Sequence, residues 1–91
     1  MSQTTPIAKA DLLNQLTTIE LAQALAERLA IAPNDWHRLK SNRKAQAGQQ
    51  LAAALVFLLK DRPLEALPHL NQATGWLDRS VSASPCPTHG H

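Results

Sequence analysis

The densest group of chemically able side chains is Trp36-His37-Arg38-Leu39-Lys40-Ser41-Asn42-Arg43-Lys44. Arg38, Lys40, Arg43 and Lys44 there carry permanent charge, and no acid intervenes. Placed on one helix at about 100° per residue, Lys40, Arg43 and Lys44 share an arc with Trp36. Trp and Arg are the side chains most enriched at binding hot spots, so this arc suits a protein partner. Trp76 and Arg79 form a second group of the same kind. The expected partner-binding residues are therefore Trp36, Lys40, Arg43, Lys44, Trp76 and Arg79. The alternative places the same cations of 38–44 on phosphates, as a weak, salt-sensitive contact with nucleic acid or another polyanion. A plainer reading leaves them solvated where a helical bundle ends.

The end of the chain holds another candidate. Cys86-x-x-His89-x-His91 brings together the donor types of a zinc or copper site. Only these three are local, and a structural zinc site draws on two separated pairs. A fourth donor would have to come from His37, His69 or a second chain. The expectation is thus a tail with no resident metal and no cofactor. Catalysis is not expected either. A nucleophile needs a base in reach and a group that orients the base. Cys86 lies in the tail, Asp11, Glu20, Glu27, Asp35, Asp61, Glu65 and Asp78 are scattered, and neither a Gly-rich phosphate loop nor an H-E-x-x-H motif occurs.

The elements that must position these residues are helical. The chain has 91 residues, which suits a single domain. Folding at that size buries roughly 60–65% of the unfolded surface, enough for one core but not for a deep enclosed cleft. Hydrophobic residues make up 44% of the sequence, yet Tyr is absent, and Ala, Leu and Gln dominate. These are helix formers, whereas a sandwich or barrel would use more β-branched and aromatic residues. The net charge of +2 is too small to argue for nucleic acid. Cys86 is the single cysteine, which fits a reducing cytoplasm. No segment from Met1 to Ala10 reads as a secretory signal. The longest apolar run, Leu51 to Leu59, is far short of the roughly 20 residues of a membrane span.

Along the chain, residues 1–5 read as a disordered lead-in, 6–80 as a single helical bundle domain and 81–91 as a flexible, disordered tail. Apolar residues recur at helical spacing from Leu12 to Leu29. Thr17-x-x-Glu20 reads as a capping box, which favours a break there over one long helix. The surplus of Leu12, Leu13, Leu16, Ile19, Leu21, Leu25, Leu29 and Ile31 either wraps a central helix or forms a patch for a partner or a second copy. Pro33 and Asn34 mark the next start. From there one helix is expected to run to Lys60. Its Leu51–Leu59 half is apolar on every face and therefore belongs at the centre of the bundle. A last helix begins near Pro63, with an apolar stripe of Leu64, Leu67, Leu70, Ala73 or Thr74, Leu77 and Val81. Pro68 should delay or kink it. The fold class is all-α: a small antiparallel bundle of three to four helices.

The last two helices resemble one tetratricopeptide-type helix pair. Ala54 and Phe57 stand on the first helix and Ala66, Leu70 and Ala73 on the second, but the repeat's aromatic-glycine pattern is missing, with Gln50 and Ala53-Ala54 where it would begin. The segments Asp35-Trp36-His37 through Arg43-Lys44-Ala45-Gln46-Ala47, Gly75-Trp76-Leu77-Asp78-Arg79 and Pro85-Cys86-Pro87 also resemble small uncharacterised helical proteins of cyanobacteria. That resemblance implies a fold and a cytoplasmic location, with no chemistry attached. The sequence thus points to a non-catalytic protein-interaction module, an adaptor or assembly factor, acting on a protein partner or as a homodimer and not at a membrane.

Overall fold

The computed structural model describes residues 9–83. Among them are five helices: α1 (Lys9–Asn14), α2 (Thr18–Leu29), α3 (Trp36–Leu39), α4 (Arg43–Leu59) and α5 (Pro63–Asp78). A 3-10 turn, Pro33–Asp35, leads into α3. The fold is all-α and contains no strand among the described residues. No helix in this range is long and apolar enough to cross a membrane.

The break between α1 and α2 is made by the capping box. The Glu20 N–H donates to Thr17 Oγ1 at 3.1 Å, and the Thr17 N–H donates to Glu20 Oε1 at 2.8 Å. Two otherwise orphaned amides at the start of α2 are thereby satisfied.

The single helix expected from Asn34 to Lys60 does not form. The chain turns at Ser41-Asn42, and Asn42 caps a new helix, its Oδ1 accepting from the Ala45 N–H at 2.9 Å. Short polar side chains such as Asn offer the backbone a local alternative to helix continuation. Gln46, one turn into α4, is buried and fixes the turn by donating from Nε2 to the Lys40 carbonyl at 3.2 Å. On the other side of α3, Gln49 Oε1 accepts from the Ile31 N–H at 2.7 Å, tying the α2–α3 connection to α4.

The turn from α4 to α5 is a Schellman motif. Asp61 takes a left-handed conformation at φ 60°. The Arg62 N–H then reaches the Phe57 carbonyl at 2.9 Å, and the Asp61 N–H reaches Leu58 at 3.1 Å. So short a connection sends α5 back antiparallel along α4. Pro68 does not delay α5, which starts at Pro63 and runs through it. The carbonyl it leaves without a helical partner belongs to Leu64, which is 80% exposed, so water can serve it.

α4 is the middle helix. It packs most extensively on α5 and also on α2. Gln23, Ala26 and Glu27 of α2 face Ala53, Val56 and Phe57, while Leu29 approaches Gly48, so α2 also runs antiparallel to α4. The core is built of small residues: Ala22, Ala47, Ala52, Ala54, Ala66 and Ala73, with Trp76 the one large apolar side chain buried among the described residues. Alanine contacts let helix axes approach closely, and this pushes the larger side chains to the flanks. The expectation that Leu51–Leu59 is surrounded on all faces is therefore corrected. Leu51, Leu55 and Leu58 are exposed, because α2 and α5 cover only part of the circumference of α4 and α1 buries none of its own residues.

Candidate functional site

Arg43 and Trp76, expected to meet a partner, meet each other. The Arg43 guanidinium sits 5.6 Å from the centroid of the Trp76 ring. Its Nη1 donates to the Trp76 carbonyl at 3.0 Å and to the Val81 carbonyl at 2.8 Å. These oxygens lie at and just beyond the C-terminal end of α5, where helical carbonyls lack amide partners and the dipole favours a cation. Trp76 is 6% exposed and forms a cluster with Ala47 and Ala73, against which Val81 and Ala83 pack. Residues 81–83, assigned from sequence to the tail, thus belong to this lock. Gly75 makes room for them: a Cβ at that position would fall on Val81 Cγ2. Arg79 closes α5 in a left-handed conformation, φ 69°.

The other members of the basic group are separated by the break at Asn42. Trp36 lies on α3, 44% exposed, whereas Lys44 is exposed on α4, so the common arc of a single helix does not exist. Arg38 pairs with Asp35 at 3.0 Å. Lys40 is half-buried at the end of α3. Asp78 accepts from the Ser80 N–H at 2.9 Å. The Ser80 side chain and then its backbone amide hold the Asp78 carboxyl below its usual range; a smaller desolvation effect opposes them, and Arg43 adds the least, in the lowering direction. His69 stacks on Phe57 at 5.4 Å, and its Nδ1 lies 2.7 Å from Gln50 Oε1, which fixes the ring between α4 and α5. Cys86, His89 and His91 fall outside the described residues. Among the described residues no three His, Cys, Asp or Glu side chains converge as a metal site requires.

An apolar concave surface lies elsewhere. Leu51, Ala54, Leu55 and Leu58 of α4 and Pro63, Ala66, Leu67 and Leu70 of α5 line a groove of about 440 Å³, and every one of them is apolar. Its floor is the buried pair Ala54 and Ala66, and its walls are leucines, of which Leu58 is 57% exposed. Leu77 extends the α5 wall by two further turns. The pattern was present in the sequence as the stripe Leu67, Leu70 and Leu77, but there it reads as core. Of the surplus apolar residues of α1 and α2, Ile19, Leu21 and Ile31 are half-buried, while Leu12, Leu13, Leu16, Leu25 and Leu29 are exposed.

A family of unknown function, DUF6439, matches the sequence over residues 1–91. The chain belongs to that family. No curated protein and no solved structure matches it. What this DUF6439 chain offers is an apolar trough without a hydrogen-bonding group along its wall, beside an internally paired arginine. Such a trough can bury apolar side chains of a helix but cannot orient a polar substrate, which needs a few convergent donors and acceptors.

Proposed function

We propose that this chain is a small helical protein-interaction module, an adaptor or assembly factor with no catalytic chemistry of its own. The observation that carries the reading is the groove between α4 and α5, a continuous run of exposed leucines on a floor of alanine. Monomeric soluble proteins rarely leave so large an apolar face unoccupied, and a groove between two helices suits the apolar stripe of a third. The docking residues in this proposal are Leu51, Leu55, Leu58, Leu67, Leu70 and Leu77, with Trp36 and Lys44 as a secondary rim. Arg43 and Trp76 act inside the fold instead. The close, alanine-rich crossing of α4 and α5 supports reading the hairpin as tetratricopeptide-like, and the single Cys86 supports a cytoplasmic setting, as in the cyanobacterial proteins it resembles.

A polyanion contact through 38–44 finds less support, since Arg43 turns inward and Arg38 pairs with Asp35. The test compares Leu55→Lys with Lys44→Glu for association with a helical partner at physiological salt. The proposal requires Leu55→Lys to weaken association at least tenfold and Lys44→Glu to change it little. The reverse ranking would sink it.

A further inference from the structure

We infer that the occupant of the leucine face is a second copy of this chain, with the two α4–α5 hairpins packed face to face about a twofold axis as a four-helix bundle. The inference rests on the docking reading above and adds the identity of what docks.

The exposed positions of α4, Leu51, Leu55 and Leu58, follow a four–three spacing. On α5 the sequence Pro63, Leu67, Leu70, Thr74 and Leu77 repeats the same alternation. A sustained four–three alternation is the seam that helices present to one another in left-handed bundles. Here two antiparallel neighbours carry such seams side by side. Their mutual contact uses a different stripe, Ala47, Ala54, Ala66 and Ala73, all buried. The hairpin thus has one completed interface of small residues and a second, of large ones, that nothing covers among the described residues.

In α4, Leu55 stands between Leu51 and Leu58. A twofold axis close to Leu55 brings Leu51 of one chain to the second copy's Leu58 and the reverse, so the apolar positions of α4 meet one another. An isologous contact of this kind closes on itself as a dimer.

The five groove leucines expose roughly 450 Å² per chain, so a pair that covers them fully buries on the order of 900 Å² from leucine alone, close to the roughly 1,000 Å² that a specific interface should clear. Core alanines alone give this small chain little burial, and dimerisation is a common way for such a scaffold to complete its core.

The experiment is sedimentation equilibrium of the full chain between about 10 and 100 µM, read beside far-UV circular dichroism. The expected wild-type mass is twice 9.9 kDa, with Leu55→Lys shifted towards monomer. Should Leu55→Lys fail to fold, a cross-linking arm decides. Leu55→Cys in a Cys86→Ser background should join two copies through a short bismaleimide far faster than Leu64→Cys, which lies off the face. A wild type that stays at 9.9 kDa, a dimer that Leu55→Lys leaves intact, or equal cross-linking of the two cysteines overturns the inference. If the wild type is monomeric but Leu55→Lys still abolishes capture of another protein, the second copy is excluded and the docking reading stands. If capture is indifferent to Leu55→Lys, both fall.

Discussion

Replacing Arg43 with Met keeps a long apolar stem and removes the guanidinium. Two hydrogen bonds from a charged donor are lost, at 3.0 and 2.8 Å, to the carbonyls of Trp76 and Val81. Hydrogen bonds to charged groups contribute about 1.5–3 kcal/mol each, and half-burial puts these near the lower end. The contact over the Trp76 ring adds about 0.5–1 kcal/mol, part of which the Met side chain restores by packing. The net loss should be about 3–4 kcal/mol. For a domain of this size each kcal/mol moves Tm by roughly 4–8 °C, so a fall of about 12–30 °C is expected. The assay is urea and thermal unfolding at a fixed protein concentration, because self-association would make stability concentration-dependent. Trp76 fluorescence in a Trp36→Phe background reports on the lock itself and should shift to the red in Arg43→Met as the indole gains water. Lys44→Met, one residue on and exposed, should stay within about 0.5 kcal/mol of wild type. An Arg43→Met protein equally close to wild type would refute the assignment of Arg43 as a structural tie and return it to the surface.

Three further perturbations follow from the backbone. Asp61 occupies the left-handed position of the Schellman turn at φ 60°, so Asp61→Gly should raise stability by about 0.5–1 kcal/mol in urea unfolding; a loss of similar size would mean that the carboxylate, not the conformation, matters there. Gly75→Ala gains about 1 kcal/mol of helix propensity but drives a methyl into Val81, at about 1–3 kcal/mol for overpacking. A net loss of about 1 kcal/mol with faster amide exchange at Val81 is expected, whereas a net gain would mean that residues 81–83 do not pack on α5. Asp78 has a folded pKa lowered below 3.8 by the Ser80 contacts. Its contribution is therefore fully present above the unfolded value and is lost as pH falls through the folded one. The stability difference between wild type and Asp78→Asn should be flat at neutral and mildly acid pH and shrink below about 3.8. A difference that grows on acidification would contradict the assignment.

Local signals in the sequence proved reliable where one side chain closes on a nearby amide. Thr17 and Glu20 cap α2 because both partners of the box lie within four residues, and no tertiary contact is needed to place them. Asn42 offers the same chemistry, yet the apolar and basic spacing on either side reads as one uninterrupted helix. What decides the break is Gln46 reaching the Lys40 carbonyl, a tertiary-like contact that spacing cannot show. With that helix broken, the shared arc of Trp36, Lys40, Arg43 and Lys44 dissolves. The partnership of Arg43 and Trp76 was illegible for a related reason: 33 residues separate them, and only the return of α5 along α4 brings them together.

The leucine face was misread rather than unseen. A run such as Leu51–Leu59, apolar all round, implies burial on all sides only if enough helices are present to surround it. The number of layers is a property of the assembled fold, and α1, which buries nothing, supplies none. Pro68 illustrates the opposite case: α5 continues through it, and the residue whose carbonyl loses its helical partner, Leu64, is exposed.

If the α4–α5 leucine face is the working surface of this protein, the decisive comparison is the association behaviour of the double variant Leu55→Lys/Leu67→Lys beside Arg38→Glu/Lys44→Glu, with helicity checked in each. The first pair of substitutions should weaken specific association, with itself or with another protein, at least tenfold more than the second, while both keep wild-type helicity. Association that survives the leucine substitutions and is lost with the charge reversals would contradict it and place the working surface on the basic turns.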